Sequence, residues 1–398
     1  MAPDFVVVGA GVFGAWTALH LRRRGHTVTL VDAYGPGNSR SSSGGETRII
    51  RMGYGADALY TRSAIRALEQ WKELFRTMVP HIIPPGPVVT QSRTADVGLF
   101  INCGMLWLGT NGDPYSEAIA NTLAAHGVAH LRLTPDDLRR RFPQFSSANV
   151  DFAIYEPGSG VLLARRAVAA VFEACRGEGV EYVSAAVVPP DAAAGRLSQL
   201  RTAHGETLAG STFVFCCGSW LPKVFPDLLG RRIFPSRQEI FFFGVPAGLR
   251  GFTSPAMPAW LHRTEEIYGL PDIENRGVKI ACDFHGPAFD PDSGARMVTE
   301  EGLRLAREYV ARRLPELRDA PVVETRVCQY ENTSSGDFLL DGHPQWENVW
   351  LAGGGSGHGF KHGPVVGEYL AGRILDNAPA EPRYSLVSKQ DMQRRAVY

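Results

Sequence analysis

The chain opens on four consecutive apolar residues, Phe5-Val6-Val7-Val8, a run that predicts a strand buried on both faces. After Gly9-Ala10-Gly11-Val12-Phe13-Gly14 the period changes. Ala15, Ala18, Leu19 and Leu21 recur at helical spacing up to Gly25, and Thr27 to Val31 reads as a second strand closing on Asp32. Near the other end the same order returns. Asn348-Val349-Trp350-Leu351 reads as a buried strand, "GGGSGHGFKHGP" (353–364) follows it, and Val365 to Leu370 reads as a helix.

Between these ends the pattern is more irregular. Thr61 to Leu74 is an amphipathic helix, and Ile82 to Pro87 is a proline-rich break, expected as the first crossing into another domain. Leu106 to Gly109, Leu131 to Leu133, Glu181 to Val188, Thr212 to Phe215, Phe241 to Phe243 and Val278 to Ile280 predict strands. Asp136 to Arg141, Val161 to Arg176 and Glu300 to Leu314 predict helices. Strand–helix–strand units stand at the start, at 160–220 and at the end, with aromatic-rich strands between them. The layout fits an α/β (α+β) fold in which a discontinuous, Rossmann-like nucleotide domain is interleaved with a mixed-sheet domain, with a cleft between the two.

Composition narrows the classes of function. The 398 residues can bury two large cores, and 44% apolar with 21% charged residues is ordinary for a globular enzyme. Lysine plus arginine equals aspartate plus glutamate, 41 against 41, so charge gives no case for a nucleic-acid partner or an acidic membrane surface. The six cysteines match no zinc spacing and no metal site is expected. No apolar run is long enough to span a bilayer, and the expected location is the cytoplasm.

The first glycine turn carries chemistry in its context. Strand, G-x-G-x-x-G, helix, strand and acid occur in the order a dinucleotide site needs. Gly9 makes the tight turn, Gly11 admits a pyrophosphate and Gly14 lets helix and strand pack closely. The helix N-terminus offers N–H donors to the phosphates, and Asp32 can accept the ribose hydroxyls. The motif alone does not separate NAD from FAD. Downstream, Arg48 and Arg51 lie three apart in "GGETRIIR" (44–51), a spacing that would put them on one face of a helix, beside a Ser/Gly loop. An anion site and a solvated helix face are equal readings of that segment alone.

Taken with "EPGSGVL" (156–162), "CQYENTSSGDFLLDGHP" (328–344) and "GGGSGHGFKHGP" (353–364), the chain resembles the monomeric sarcosine oxidase family, which includes N-methyltryptophan and pipecolate oxidases. That family belongs to the D-amino-acid oxidase-like flavoproteins. The resemblance covers nearly the whole sequence. It implies an FAD-binding domain made of 1–85, 151–220 and 321–398 and a substrate domain made of 86–150 and 221–320.

The resemblance also implies roles. Arg51 and Lys361 would clamp the carboxylate of an amino acid substrate, with Tyr268, Tyr330 and Asp283 around it. Arg48 would lie beside the flavin ring, and Lys279 would promote reaction with oxygen. FAD would be held by Gly9, Gly11, Val12, Phe13, Gly14, Asp32, Ala33, Ser43, Gly44, Thr47, Arg48, Val188 and Gly218. Towards the end of the chain Gly354, Gly355, Gly357, His358, Gly359, Phe360 and Lys361 would join them, with Cys328 as a point of covalent attachment. Two positions depart from the family pattern: Gly44 and Asp283 each stand where relatives carry histidine.

The expected reaction is oxidation of a secondary α-amino acid, N-methyl or cyclic, to an imine, with oxygen reduced to hydrogen peroxide by a monomeric enzyme. An FAD dehydrogenase with another acceptor, a fructosyl amino acid oxidase and a non-catalytic nucleotide-binding protein are the alternatives.

Overall fold

The computed structural model describes residues 2–82, 98–191 and 194–391. The predicted proline-rich crossing and the domain boundary at 85/86 therefore lie outside the described residues, except for Ile82 itself, which ends a helix.

The opening run Phe5–Val8 is the centre of a six-stranded sheet. From edge to edge its strands are Leu339–Gly342, Val349–Gly353, Thr212–Phe215, Phe5–Val8, Val28–Asp32 and Glu181–Ser184. Only the first pair is antiparallel. The central strands are apolar on both faces because both faces are covered. Helices Val12–Arg23, Ala164–Gly177 and Gly363–Asp376 pack on one face, where Trp16, Leu19, Val171 and Leu370 share a core. On the other face Phe213, Phe215 and Val6 pack with Phe225 and Leu229.

A second sheet of eight strands carries the irregular middle of the chain. Its order is Val322–Asn332, Phe234–Phe243, Val278–Cys282, Ile267–Leu270, Ala259–His262, Met105–Gly109, Phe152–Glu156 and Leu131–Leu133. One face is closed by helix Glu300–Arg313, whose Tyr309 and Val310 join Val278, Ile280 and Phe241 in one core. The opposite face carries Ile240, Phe242 and Ala281 with Tyr268 and Cys328. A third, three-stranded sheet is centred on Gly160–Leu162, flanked by Arg48–Ile50 and Phe100–Ile101.

Three expectations are corrected here. The segment holding Arg48 and Arg51 is not helical, because Arg48–Ile50 pairs with Gly160–Leu162 as an antiparallel strand. The helix expected from Val161 begins only at Ala164, since that same pairing claims the preceding residues. The strand expected over 181–188 ends at Ser184, after which the chain leaves the sheet and Val187 bridges to Thr202. Two strands also cross the expected domain limits. Phe152–Glu156 and Val322–Asn332 fall in segments assigned to the nucleotide domain, yet both hydrogen-bond into the eight-stranded sheet.

Candidate active site

The first glycine turn is built by close backbone approach. Gly9 has φ 105°, and a Cβ there would lie 2.4 Å from the Cys216 carbonyl oxygen. A Cβ on Gly14 would lie 1.8 Å from the Gly9 oxygen, so only glycine lets this helix sit on its strand. Asp32 then ties the second strand to the turn. Its Oδ2 accepts from Ala10 N at 2.7 Å, and its Oδ1 accepts from Tyr34 N and Gly35 N at 2.8 Å. Burial raises the Asp32 pKa despite these three donors.

A cavity of about 300 Å³ opens over this turn and runs towards the second glycine run. Its wall contains many of the expected cofactor residues: Gly9, Gly11, Val12, Phe13, Asp32, Ala33, Ser43, Arg48, Gly218, Cys328, Gly355, Gly357, Gly359 and Phe360. Others stand behind that wall. Gly14 is used in packing. Gly44 is pressed against Asn38, whose carbonyl oxygen is 1.8 Å from where a Cβ would be. Thr47 presents its carbonyl to Arg48 and Lys279. Val187 takes the wall position expected of Val188, whose N–H instead bonds Arg201 O. Gly354 packs on Thr333, and His358 turns away to the Gly336 carbonyl at 3.0 Å.

The polar lining fits FAD. Ser42 Oγ, Ser219 Oγ, Gln329 Nε2 and Glu331 Oε2 are buried in this wall with no hydrogen-bond partner among the described residues. Such groups are costly unless something supplies partners. A ligand carrying phosphates, hydroxyls and ring heteroatoms would do so. Ser42 stands in the Ser/Gly loop and Gln329 and Glu331 in the motif at 328–344, but nothing in the pattern marks these side chains as ligand groups.

The cavity ends against one face of the eight-stranded sheet. Strand alternation puts Lys279, Ala281 and Asp283 on that face, and Tyr268 pairs with Ala281. Cys328 and Tyr330 come from the edge strand, with Phe234–Phe243 between it and the Lys279 strand. Arg48 Nη2 donates to Cys328 Sγ at 3.4 Å, and Lys279 Nζ donates to Thr47 O at 3.2 Å. Tyr330 Oη donates to Asp283 Oδ1 at 3.1 Å. Burial pulls the Lys279 pKa down to about 7, with the Arg48 charge acting in the same direction.

The two distant cations meet on Tyr54, which the sequence reading did not single out. The Arg51 guanidinium lies 4.3 Å from the Tyr54 ring centre, and Lys361 Nζ lies 5.3 Å from it. Both side chains are buried, 3% and 4% exposed. Lys361 Nζ donates to Tyr54 Oη at 2.8 Å and to His358 O at 3.0 Å. Burial, then the Arg51 charge, lowers the Lys361 pKa well below its ordinary value. Asp283 opposes that lowering at Lys361. At Arg51, against the effect of burial, it adds to Tyr54, Tyr115 and Glu156, which raise the pKa. Glu156 holds the turn after Arg51. Its carboxylate accepts from Met52 N, Gly53 N and Trp107 Nε1 at 2.9, 3.1 and 2.6 Å.

His358 and His362 are not free for acid–base work. Burial, then the Lys361 charge, drives both well below the usual histidine range. His362 Nε2 lies 2.7 Å from Tyr54 Oη and its Nδ1 lies 2.8 Å from Ser63 Oγ.

The chain is similar to known proteins over nearly its whole length. The family described as "DAO: FAD dependent oxidoreductase" matches residues 4–373. The monomeric sarcosine oxidase of Bacillus sp. strain NS-129 is 30% identical over 380 residues, 92% of each chain. That of Streptomyces avermitilis is 28% identical over 388 residues, 95% of each chain. Among solved structures, the L-proline dehydrogenase of P. horikoshii superposes with a TM-score of 0.79 at 19% identity, over 97% of each chain. At that identity the likeness speaks for the fold.

Proposed function

The chain belongs to the DAO family of FAD dependent oxidoreductases and is a sarcosine oxidase-like amine oxidase, and we propose that its substrate is a secondary α-amino acid, N-methyl or cyclic. The observation that carries this reading is the convergence of Arg51 and Lys361 on one tyrosine. A guanidinium fork and an ammonium together make a carboxylate clamp. Lys361 directly follows Phe360, which lines the cofactor cavity together with Tyr330.

Bound FAD would accept the two electrons of C–N oxidation and pass them to oxygen, giving hydrogen peroxide. The chain's own residues do the positioning. Arg51 and Lys361 fix the carboxylate end, which leaves the amine and its C–H bond directed at the cavity, so orientation supplies much of the rate. Tyr268 and Tyr330 wall the pocket. Burial holds both phenols well above their ordinary pKa, so they act as neutral donors rather than bases. Asp283 is an acid in a pocket that must receive an anion. It disfavours a second acidic group on the substrate and favours one carrying a basic group. Lys279 and Arg48 form the positive cluster at Cys328, the expected site of covalent attachment. A cation at Lys279 would stabilise negative charge on reduced oxygen.

A panel tests the substrate class: sarcosine, longer N-methyl amino acids with neutral, acidic and basic side chains, pipecolate, proline, and the same amines lacking the carboxylate. Peroxide release is the readout. Amines lacking the carboxylate should lose about 10- to 100-fold in kcat/KM, the worth of one to two charge-assisted hydrogen bonds. Equal turnover of amines with and without a carboxylate would refute the reading. Substrate-dependent bleaching of the flavin without peroxide would make the enzyme a dehydrogenase instead.

A further inference from the structure

Glu331 stands apart from every role described above. It lies near the end of the edge strand Val322–Asn332, on the opposite side of that strand from Cys328 and Tyr330, and it lines the cofactor cavity. It occupies the middle of the site. A Cβ on Gly353 or Gly355, in the second glycine run, would lie 3.3 Å from its Oε2 or 3.2 Å from its Oε1. Its neighbours also include Gly218, where a Cβ would lie 3.9 Å from Oε2, and Cys216, the residue whose carbonyl touches Gly9 in the first glycine turn. The carboxyl therefore sits between the turn suited to the pyrophosphate and the run suited to the flavin ring.

Among the described residues no cation forms an ion pair with it. The salt bridges among the described residues do not include Glu331, and its Oε2 has no hydrogen-bond partner there. The backbone N–H groups of Gly354 and Gly355 face the carboxyl and favour its ionised form, but burial outweighs them. The titratable groups nearest it are Cys216, Cys217 and Tyr330, and the same cavity wall carries Asp32, Tyr34, Arg48, Asp292 and Cys328. The two thiols and the phenol are pushed up by burial and stay neutral near pH 7. A carboxylate placed so would face the phosphates of FAD with nothing between, whereas a carboxylic acid could donate to them.

We propose that Glu331 binds FAD as the neutral acid, donating a hydrogen bond from Oε2 to an oxygen of the cofactor's ribityl–phosphate chain, so that cofactor affinity falls as the acid ionises. The sign follows from linkage. The carboxyl of the protein without cofactor titrates at about 7, raised from 4.5. Below that value the binding form is already present. Above it, FAD must draw a proton onto Glu331, and affinity drops about tenfold for each further pH unit. This inference rests on FAD as cofactor and not on the identity of the amine.

The test uses the full chain carrying Cys328→Ala, so that the cofactor exchanges freely, stripped and titrated with FAD by quenching of flavin fluorescence between about pH 6 and about pH 9. With Glu331 intact the Kd should rise steeply across the upper half of that range. Adding Glu331→Gln, an isosteric neutral donor, should hold the low-pH affinity throughout and flatten the profile. The same slope in both proteins would overturn the proposal, since it would place the titration in Asp32 or elsewhere. A flat profile in both would leave Glu331 only as a brace for the Gly354–Gly355 backbone, and would overturn it equally. Should Glu331→Gln fail to fold, calorimetry of FAD binding in two buffers of different ionisation heat decides. At about pH 8 the Cys328→Ala protein should take up close to one proton per FAD, and zero uptake contradicts the mechanism.

Discussion

Lys279 shows how one residue can be ordinary in sequence and distinctive in space. In Val278-Lys279-Ile280 it reads as an unremarkable strand residue. The structure instead buries it, with its Nζ on the Thr47 carbonyl and its pKa drawn down to about 7. Only the family resemblance gave it a role, because periodicity cannot tell an exposed face from one that meets a cavity. If its charge serves the oxygen reaction, Lys279→Met should slow reoxidation by oxygen about 10²- to 10³-fold, the usual cost of losing one preorganised charge or donor at a developing anion. Anaerobic reduction by substrate should change little. Stopped-flow absorbance separates the two half-reactions, and an unchanged oxygen rate would remove Lys279 from the chemistry. The pH dependence has a definite sign. The cation is lost as pH rises through its pKa, so the oxygen rate should fall with rising pH in the wild type and stay flat in the variant. Negative charge on the reduced cofactor moves that fall above 7.

At the scale of elements, the strongly periodic segments were legible and the short ones were not. The run Phe5–Val8, the helix behind it and the strand at Val349–Gly353 follow from apolar pattern alone. Arg48–Ile50 was misread because three residues are too few to show a period, and because its partner Gly160–Leu162 lies more than a hundred positions away. That pairing matters for the site, since the strand delivers Arg48 to Cys328 and the turn after it delivers Arg51 to Tyr54. Glu156 was visible within a motif, but its task of gripping Met52 N, Gly53 N and Trp107 Nε1 was not. Gly44 shows a related limit. Relatives are expected to carry histidine there, and here Asn38 leaves no room for a Cβ. Whether the Arg48–Cys328 contact suffices for covalent attachment without that histidine is a matter of one assay. Acid-precipitated protein should stay yellow, and Cys328→Ser should release its colour to the supernatant. Release from the wild type would mean that FAD is held by contacts alone.

On the scale of the whole molecule, the six-stranded sheet with its two glycine turns is built from the sequence ends and residues 181–215, and the eight-stranded sheet from the middle. The interleaving expected from the sequence rests on where the strand–helix–strand units fall. Phe152–Glu156 and Val322–Asn332, which lack an apolar pattern that would assign them, pair into the eight-stranded sheet. Among the described residues no helix is long and apolar enough to cross a membrane, and no group of His, Cys, Asp or Glu could hold a metal ion. What the architecture achieves is the meeting of position 51 with position 361 over Tyr54. Without substrate, burial and the neighbouring guanidinium hold Lys361 towards its neutral form. If Lys361 receives the substrate, an incoming carboxylate would reverse that balance and draw a proton onto the amine, so carboxylate affinity should weaken as pH rises.

A carboxylic acid of substrate size that cannot be oxidised, titrated into wild type and Lys361→Met while the flavin absorbance is followed, measures the clamp directly. The variant should keep its FAD and bind the acid about 10- to 100-fold more weakly, with the pH dependence of binding lost. Undiminished affinity in Lys361→Met, or equal loss of acid and FAD, would mean that these two cations do not hold the substrate.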